Sequence, residues 1–171
     1  MVRMEIIDGI RAYAQAYASF QQLQDDHPDY LPVGDQKTGV VGEFFGLLYA
    51  RSIYPSAQVT YSTNPSETGW DLNVSGDNAV QDLTIQVKAV SRYSKTRAIS
   101  PVFPGWDHLY LVYLGYDLMP EGFWVVSDSN IFRGRPSLTA LRMRDPREPQ
   151  SGSRLIPWGA DRVAELKNLL G

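Results

Sequence analysis

Two short apolar segments, 70–74 and 83–90, are interrupted by three polar residues whose side chains could take part in catalysis. They are Asp71, Gln86 and Lys88. A carboxylate and an amide oxygen are ligands that hard divalent cations accept. An ammonium group forms charge-assisted hydrogen bonds to phosphate. These residue types, close together in the sequence, indicate metal-assisted chemistry on a phosphate ester.

The two segments alternate with period two, and the turn-forming residues 75–78 separate them, which predicts a β-hairpin. Alternate side chains of a strand point to opposite faces. The polar face would carry Asp71, Gln86 and Lys88. The apolar face would carry Trp70, Leu72, Val74, Ile85, Val87 and Ala89. Burying an unpartnered polar group costs roughly 2–7 kcal/mol, so a bound cation and phosphate would explain the convergence better than structure alone.

Further elements must position this hairpin. Apolar residues at spacings of three and four predict an amphipathic helix over 2–23. A second helix is expected to begin at Asp35 or Thr38, either of which could cap it, and to end at Ile53 before Tyr54-Pro55. Strands are predicted at 57–63, 109–114 and 123–126, and a last helix at 160–170.

The second predicted helix carries Glu43 beside its apolar face. Gly39, Gly42 and Gly46 each reduce helix propensity by nearly 1 kcal/mol relative to alanine. Glycines tolerated at this cost indicate that another backbone, that of the sheet, approaches the helix closely.

The order of Glu43, Asp71 and the Gln86-x-Lys88 element resembles the PD-(D/E)xK nuclease superfamily, in particular the branch with glutamine that includes Mrr-type restriction endonucleases. The resemblance spans roughly residues 34–113, and Trp70 stands where the motif has proline. It implies an α/β, restriction-endonuclease-like sandwich, in which helices flank a mixed five-stranded sheet. We expect residues 1–171 to form one such domain.

The resemblance also implies roles for these residues in Mg²⁺- or Mn²⁺-dependent hydrolysis of DNA. Asp71 would be the main metal ligand, and Gln86 would add an amide oxygen. Glu43 would bind a second cation or orient the attacking water. Lys88 would contact the scissile phosphate and hold or deprotonate that water. Because glutamine brings one negative charge fewer than glutamate, we expect a weak site with a millimolar cation requirement.

A basic segment after the second predicted strand is a candidate nucleic-acid contact, since Lys, Arg and hydroxyl side chains commonly position a phosphate backbone. It contains Arg92, Tyr93, Ser94, Lys95 and Arg97. An ordinary solvated loop is the alternative. A looser arginine series that could contact DNA or a partner follows at Arg133, Arg135, Arg142, Arg144, Arg147 and Arg154.

The charge distribution differs between the two halves of the chain. The net charge is -3, but residues 1–87 hold 4 Lys/Arg and 11 Asp/Glu, whereas residues 88–171 hold 12 and 8. This asymmetry indicates a surface that faces a polyanion, or a chance split over a solvated surface. There is no cysteine, which excludes disulfides and cysteine zinc sites. No signal peptide or membrane-length apolar run is evident, so we expect a soluble, cytoplasmic protein without a membrane partner.

Other functions remain open at this stage. Each of the four candidate site residues could have a purely structural role. The chain could be a non-catalytic, nuclease-like component that binds DNA or protein within a larger assembly, or an RNA-cleaving toxin. A homodimer is compatible with its size and would allow both DNA strands to be cut.

Overall fold

A computed structural model of the chain describes residues 2–32, 37–63, 69–76, 82–127, 129–148, 155–156 and 159–171. Four parts of the sequence-based predictions lie outside these residues. They are the cap at Asp35, the start of the superfamily resemblance at Gly34, the turn residues Asp77 and Asn78, and Arg154.

Two long helices open the chain, as their apolar periodicity predicts. Helix α1 spans Val2–Asp26 and helix α2 spans Lys37–Ile53. The second helix ends where predicted, ahead of Tyr54-Pro55. No helix in the described ranges is long and apolar enough to cross a membrane.

The strands form a mixed sheet, which confirms the predicted α/β class. Within the described residues the sheet has six strands in the order β1-β2-β3-β4-β5-β8. Their pairing is antiparallel except between β3 and β4, which are parallel. The bounds are Ala57–Tyr61 for β1, Leu72–Gly76 for β2, Leu83–Ser91 for β3, His108–Leu114 for β4, Pro120–Val126 for β5 and Ala160–Asp161 for β8.

The sheet separates two apolar clusters. On one face, side chains of α2 pack with residues of the sheet and with Phe20 of α1 and Leu166 of a short third helix, α3 (Val163–Asn168). This cluster contains Leu72, Val74, Ile85 and Val87, and Ala89 packs against it, as strand alternation predicts. The opposite face is covered by the β3–β4 connection and by residues 129–148. These include a 3-10 helix, Ser129–Phe132, and a strand β6, Arg142–Met143, which pairs with β7, Leu155–Ile156.

The end of the chain differs from the prediction of five strands followed by one helix over 160–170. Ala160 and Asp161 instead pair with β5 as a sixth strand. Gly159 makes this possible, because its φ is +108° and a Cβ there would lie 2.3 Å from the Val125 carbonyl oxygen. Asp161 then accepts a hydrogen bond from the Val163 amide at 3.0 Å, so the helix begins after it.

Two of the three glycines of α2 face the sheet. This agrees with the prediction that the helix tolerates them because another backbone packs closely against it. A Cβ on Gly42 would lie 2.3 Å from the Cβ of Ala89, and one on Gly46 would lie 3.0 Å from Val87 Cγ2. A Cβ on Gly39 would meet nothing within 4 Å. Close packing of α2 on β3 therefore brings Glu43 beside the strand that carries Lys88.

Candidate functional site

The candidate site lies where β2 and β3 separate. Their paired register begins at Leu72 opposite Ile85, whereas β3 continues to Ser91 without β2 beside it. Asp71 lies immediately before β2, one residue outside the strand on which the sequence placed it. Its amide donates to the Ile85 carbonyl at 2.8 Å, and its Oδ2 accepts the Val87 amide at 2.6 Å. The carboxylate thus satisfies a main-chain amide on the part of β3 that β2 does not pair with.

A cavity of about 390 Å³ opens at this separation. Glu43 of α2, Asp71 and Lys88 line it together, so the structure brings three of the four predicted catalytic residues to one place. Residues 98–100 of the β3–β4 connection close the other side. Strand β3, the residue just before β2, helix α2 and one loop segment therefore contribute to the site.

Burial and mutual charge alter the ionisation of all three residues. Burial, reinforced by the nearby Asp71 charge and opposed by Lys88, raises the pKa of Glu43 to about 7. Burial also raises the pKa of Asp71, although the Val87 hydrogen bond and Lys88 oppose it. Burial lowers the pKa of Lys88, while Asp71 and Glu43 raise it. Such perturbed groups in a cavity are characteristic of functional sites.

Gln86 lies apart from the cavity lining. Its side chain is 3% exposed, and its Nε2 donates to the carbonyl of Gly69. Gly69 has a φ of +64°, a conformation that glycine adopts without strain. The Gln86 Oε1 atom is buried and has no hydrogen-bond donor in the described part of the chain. An unsatisfied buried acceptor costs about 1–3 kcal/mol, which a bound ion would offset.

The carboxylates alone do not form a metal centre. Among the described residues, no three His, Cys, Asp or Glu side chains come together to hold an ion. Any cation here would need amide, main-chain or water oxygens besides Asp71 and Glu43, a donor set that suits Mg²⁺ or Mn²⁺. The Gln86 oxygen is unsatisfied, but Gln86 is not among the residues that line this cavity.

The basic segment 92–97 is less uniform than its sequence indicates. Arg92 is buried against acidic partners: its guanidinium pairs with Glu121 and lies 3.6 Å from Asp145. Arg97 pairs with Glu148 at 2.8 Å. Lys95 is exposed, and no described residue forms an ion pair or hydrogen bond with it.

Two hydroxyl residues of the same segment have mainly local contacts. Ser94 Oγ accepts the amide of Arg97 at 3.0 Å. Tyr93 is 66% exposed, and its hydroxyl donates to the Tyr116 carbonyl at 2.9 Å. Lys95 and the Tyr93 ring are therefore the parts of this segment best placed to meet a nucleic acid.

Sequence reasoning missed two residues that line the cavity, Lys37 and Ser100. Ser100 Oγ accepts a hydrogen bond from Lys88 Nζ at 2.9 Å. Lys37 Nζ donates to the Gln21 side chain of α1 at 3.0 Å. No local pattern marks Ser100, because its position depends on contacts with residues about forty positions later in the chain.

Comparisons with known proteins add a structural similarity. No known family and no curated protein matches this sequence. Among solved structures, the chain is similar to a bacterial homing endonuclease, I-Ssp6803I, with 20% sequence identity and a TM-score of 0.39. The match covers 70% of this chain and 83% of that one. A similarity at this level carries no functional inference, so the function must be argued from the geometry of the site.

Proposed function

We propose that this protein is a metal-dependent nuclease that hydrolyses phosphodiester bonds in DNA, in restriction or defence or in repair. The supporting observation is the convergence of Glu43, Asp71 and Lys88 in one cavity at the separation of β2 and β3. Two carboxylates and an ammonium, all partly desolvated, provide for a cation and for a phosphate in the same space.

Asp71 and Glu43 would hold the cation, and Gln86, which lies outside the cavity lining, would join them only after turning its buried Oε1 towards the ion. A bound Mg²⁺ or Mn²⁺ supplies a more acidic water and neutralises charge on the phosphate. The Val87 amide holds Asp71 Oδ2 in place, which leaves Oδ1 of that carboxylate for the ion. Without a cation, burial raises the pKa of Glu43 to about 7, so binding of the ion would release a proton from this carboxyl near neutral pH.

Lys88 would bind the scissile phosphate. Lys88 lines the cavity, and its ammonium lies beside Ser100 there. Attraction between an ammonium and a phosphate strengthens as water is excluded. Burial lowers the pKa of Lys88, so its ammonium releases a proton more readily than that of a solvated lysine, and more of the neutral amine is present to accept a proton from water.

The proposed substrate path leads from the cavity towards Lys95 and the Tyr93 ring. An exposed ammonium binds phosphate without sequence preference, and an exposed aromatic ring can contact sugar or base. In a homodimer, two such cavities would face the two strands of a duplex. Sedimentation velocity with and without a DNA duplex measures whether the chain forms this dimer.

A substrate panel tests the proposal directly. Plasmid DNA, single-stranded DNA and RNA are incubated with the protein in Mg²⁺, in Mn²⁺ and with chelator. We expect cleavage of DNA in millimolar Mg²⁺ or Mn²⁺ and none with chelator. Cleavage of RNA alone would support the toxin alternative, and no cleavage of any substrate would contradict the nuclease proposal.

Variants separate the enzyme from a non-catalytic, nuclease-like binding component. In the enzyme, Asp71→Ala and Lys88→Ala abolish cleavage while the protein retains its circular dichroism spectrum and elution volume. In a binding component there is no cleavage to lose, and DNA affinity responds instead to Lys95→Ala. Exposed Ser52 of α2, outside the cavity, provides the control Ser52→Ala, which should cleave like the wild type.

A further inference from the structure

Ser100 is the hydroxyl residue that faces the candidate lysine. Lys88 Nζ donates to its Oγ at 2.9 Å, and both residues line the cavity that contains Asp71 and Glu43. A serine hydroxyl can accept hydrogen bonds and also donate one. No acceptor for the Ser100 proton is found among the described residues, so this proton is available to solvent or to a ligand.

The segment that carries Ser100 is fixed against the second layer of the protein. Ala98 and Val102 form antiparallel bridges with Arg142 and Leu138. The Ile99 amide donates to the Leu141 carbonyl at 3.1 Å, and Val102 is completely buried. Ile99 packs against the apolar cluster of that layer and, like Ser100, lines the cavity. The hydroxyl is therefore held in position before any ligand arrives, which lowers the cost of binding.

We infer that Ser100 and Lys88 bind the substrate phosphate as a pair. Ser100 Oγ accepts from the ammonium and donates its own proton to a non-bridging phosphate oxygen. The inference rests on the proposed phosphodiester substrate and adds a residue that touches it. Serine hydroxyls are frequent phosphate contacts in nucleic-acid complexes, and a hydroxyl donating to an oxyanion forms a strong hydrogen bond.

Cleavage kinetics test the pair through matched variants. Ser100→Ala removes the hydroxyl, whereas Ser100→Thr keeps it in an extended segment that accommodates a β-branched residue. We expect Ser100→Ala to lower kcat/KM roughly tenfold or more, the range for a lost hydrogen bond to a charged group. Ser100→Thr should remain within about threefold of the wild type, and Ser52→Ala should be unchanged. Equal rates for wild type and Ser100→Ala would overturn the inference.

A binding measurement gives a readout that does not depend on cleavage. The Cε resonance of Lys88 is followed by NMR while inorganic phosphate is added to the metal-free protein. We expect the resonance to shift in the wild type and in Ser100→Thr, with at least severalfold weaker binding in Ser100→Ala. Phosphate affinity that is the same in wild type and Ser100→Ala would overturn the phosphate contact.

The two measurements distinguish failure of this inference from failure of the proposed function. A wild-type protein that cleaves DNA, with Ser100→Ala unaffected in both assays, would refute the role of Ser100 alone. A wild-type protein that cleaves nothing, but whose Lys88 binds phosphate in a Ser100-dependent way, would refute the nuclease and support the phosphate pair.

Discussion

The Val87 amide donates to Asp71 Oδ2 at 2.6 Å, just beyond the point where β2 ceases to pair with β3. A side chain thus replaces the main-chain acceptor that a longer β2 would have supplied. The same carboxylate closes the exposed strand edge and faces the cavity. One residue therefore has a structural role and a candidate chemical role, and these can be separated.

The isosteric variant Asp71→Asn separates the two roles. Its side-chain oxygen can still accept from Val87, so the free energy of unfolding should stay within about 1 kcal/mol of the wild type, whereas Asp71→Ala leaves the amide unpartnered and should lower it by about 1–3 kcal/mol. Both variants should lose cleavage, because both lack the negative charge. Urea unfolding and plasmid cleavage measure the two effects. Full activity in Asp71→Asn would show that the charge of Asp71 has no catalytic role.

Glu43 should make stability depend on pH. Its pKa rises from 4.5 in the unfolded chain to about 7 in the folded protein. The folded state therefore binds more protons between these values, and its stability falls as pH rises from 4.5 to 7. Above pH 7 the loss is complete and amounts to at most about 3 kcal/mol, since one pKa unit corresponds to about 1.4 kcal/mol.

Comparison with Glu43→Gln largely isolates this effect, because titrating groups other than the neighbouring Asp71 and Lys88 contribute nearly equally to both proteins. Urea unfolding at several pH values between 4.5 and 8 should show that the free energy of unfolding of the wild type falls relative to that of Glu43→Gln as the pH rises to 7. The difference between the two free energies of unfolding should then stay constant. If Glu43 is a ligand, Mg²⁺ should reduce this difference, since a bound cation stabilises the ionised carboxylate of the folded wild type. Parallel stability curves would contradict the raised pKa.

The hairpin was predictable because strand alternation is a local property. Period two placed Leu72 and Ile85 on one face, and the structure pairs them directly. Glycines spaced along α2 indicated close packing, and Gly42 indeed abuts Ala89. Each of these signals depends on a few neighbouring residues. The expectation that Glu43 belongs to the same site as Lys88 came instead from the resemblance to the nuclease superfamily.

Long-range contacts were not predictable in this way. Arg92 and Lys95 look equivalent in the sequence, but Arg92 pairs with Glu121, 29 residues later, and with Asp145. Ser100 reaches the cavity because its segment bridges to residues 138–142. No sequence pattern identifies the partners of Arg92 or those of the segment that carries Ser100. The basic segment 92–97 therefore reads in the sequence as a single surface.

These different environments predict different effects for Arg92 and Lys95. Arg92→Ala should lower the urea midpoint, because it leaves Glu121 without its cation and removes one of the two arginines beside Asp145. Lys95→Ala should leave the midpoint unchanged and weaken DNA binding, with the salt slope reduced by about one. Equilibrium binding to a DNA duplex at several salt concentrations measures this slope. An unchanged slope in Lys95→Ala would remove Lys95 from the DNA contact.

The packing of α2 on β3 can be tested with one methyl group. Gly42→Ala would place a Cβ 2.3 Å from that of Ala89, so α2 must move, and overpacking of this kind costs about 1–3 kcal/mol. The control Gly39→Ala meets nothing within 4 Å and should stabilise the helix by up to about 1 kcal/mol. Because Glu43 follows Gly42, the shift should also reduce cleavage.

Removing the opposing methyl should reverse the effect. In the double variant Gly42→Ala/Ala89→Gly the clash is absent, so both stability and cleavage should recover relative to Gly42→Ala. A double-mutant cycle from urea unfolding gives the coupling energy, which should be about 1 kcal/mol or more for residues in direct contact. Additive changes in the free energy of unfolding would mean that Gly42 does not face Ala89. Packing of α2 on β3 would then not explain the position of Glu43 beside Asp71 and Lys88.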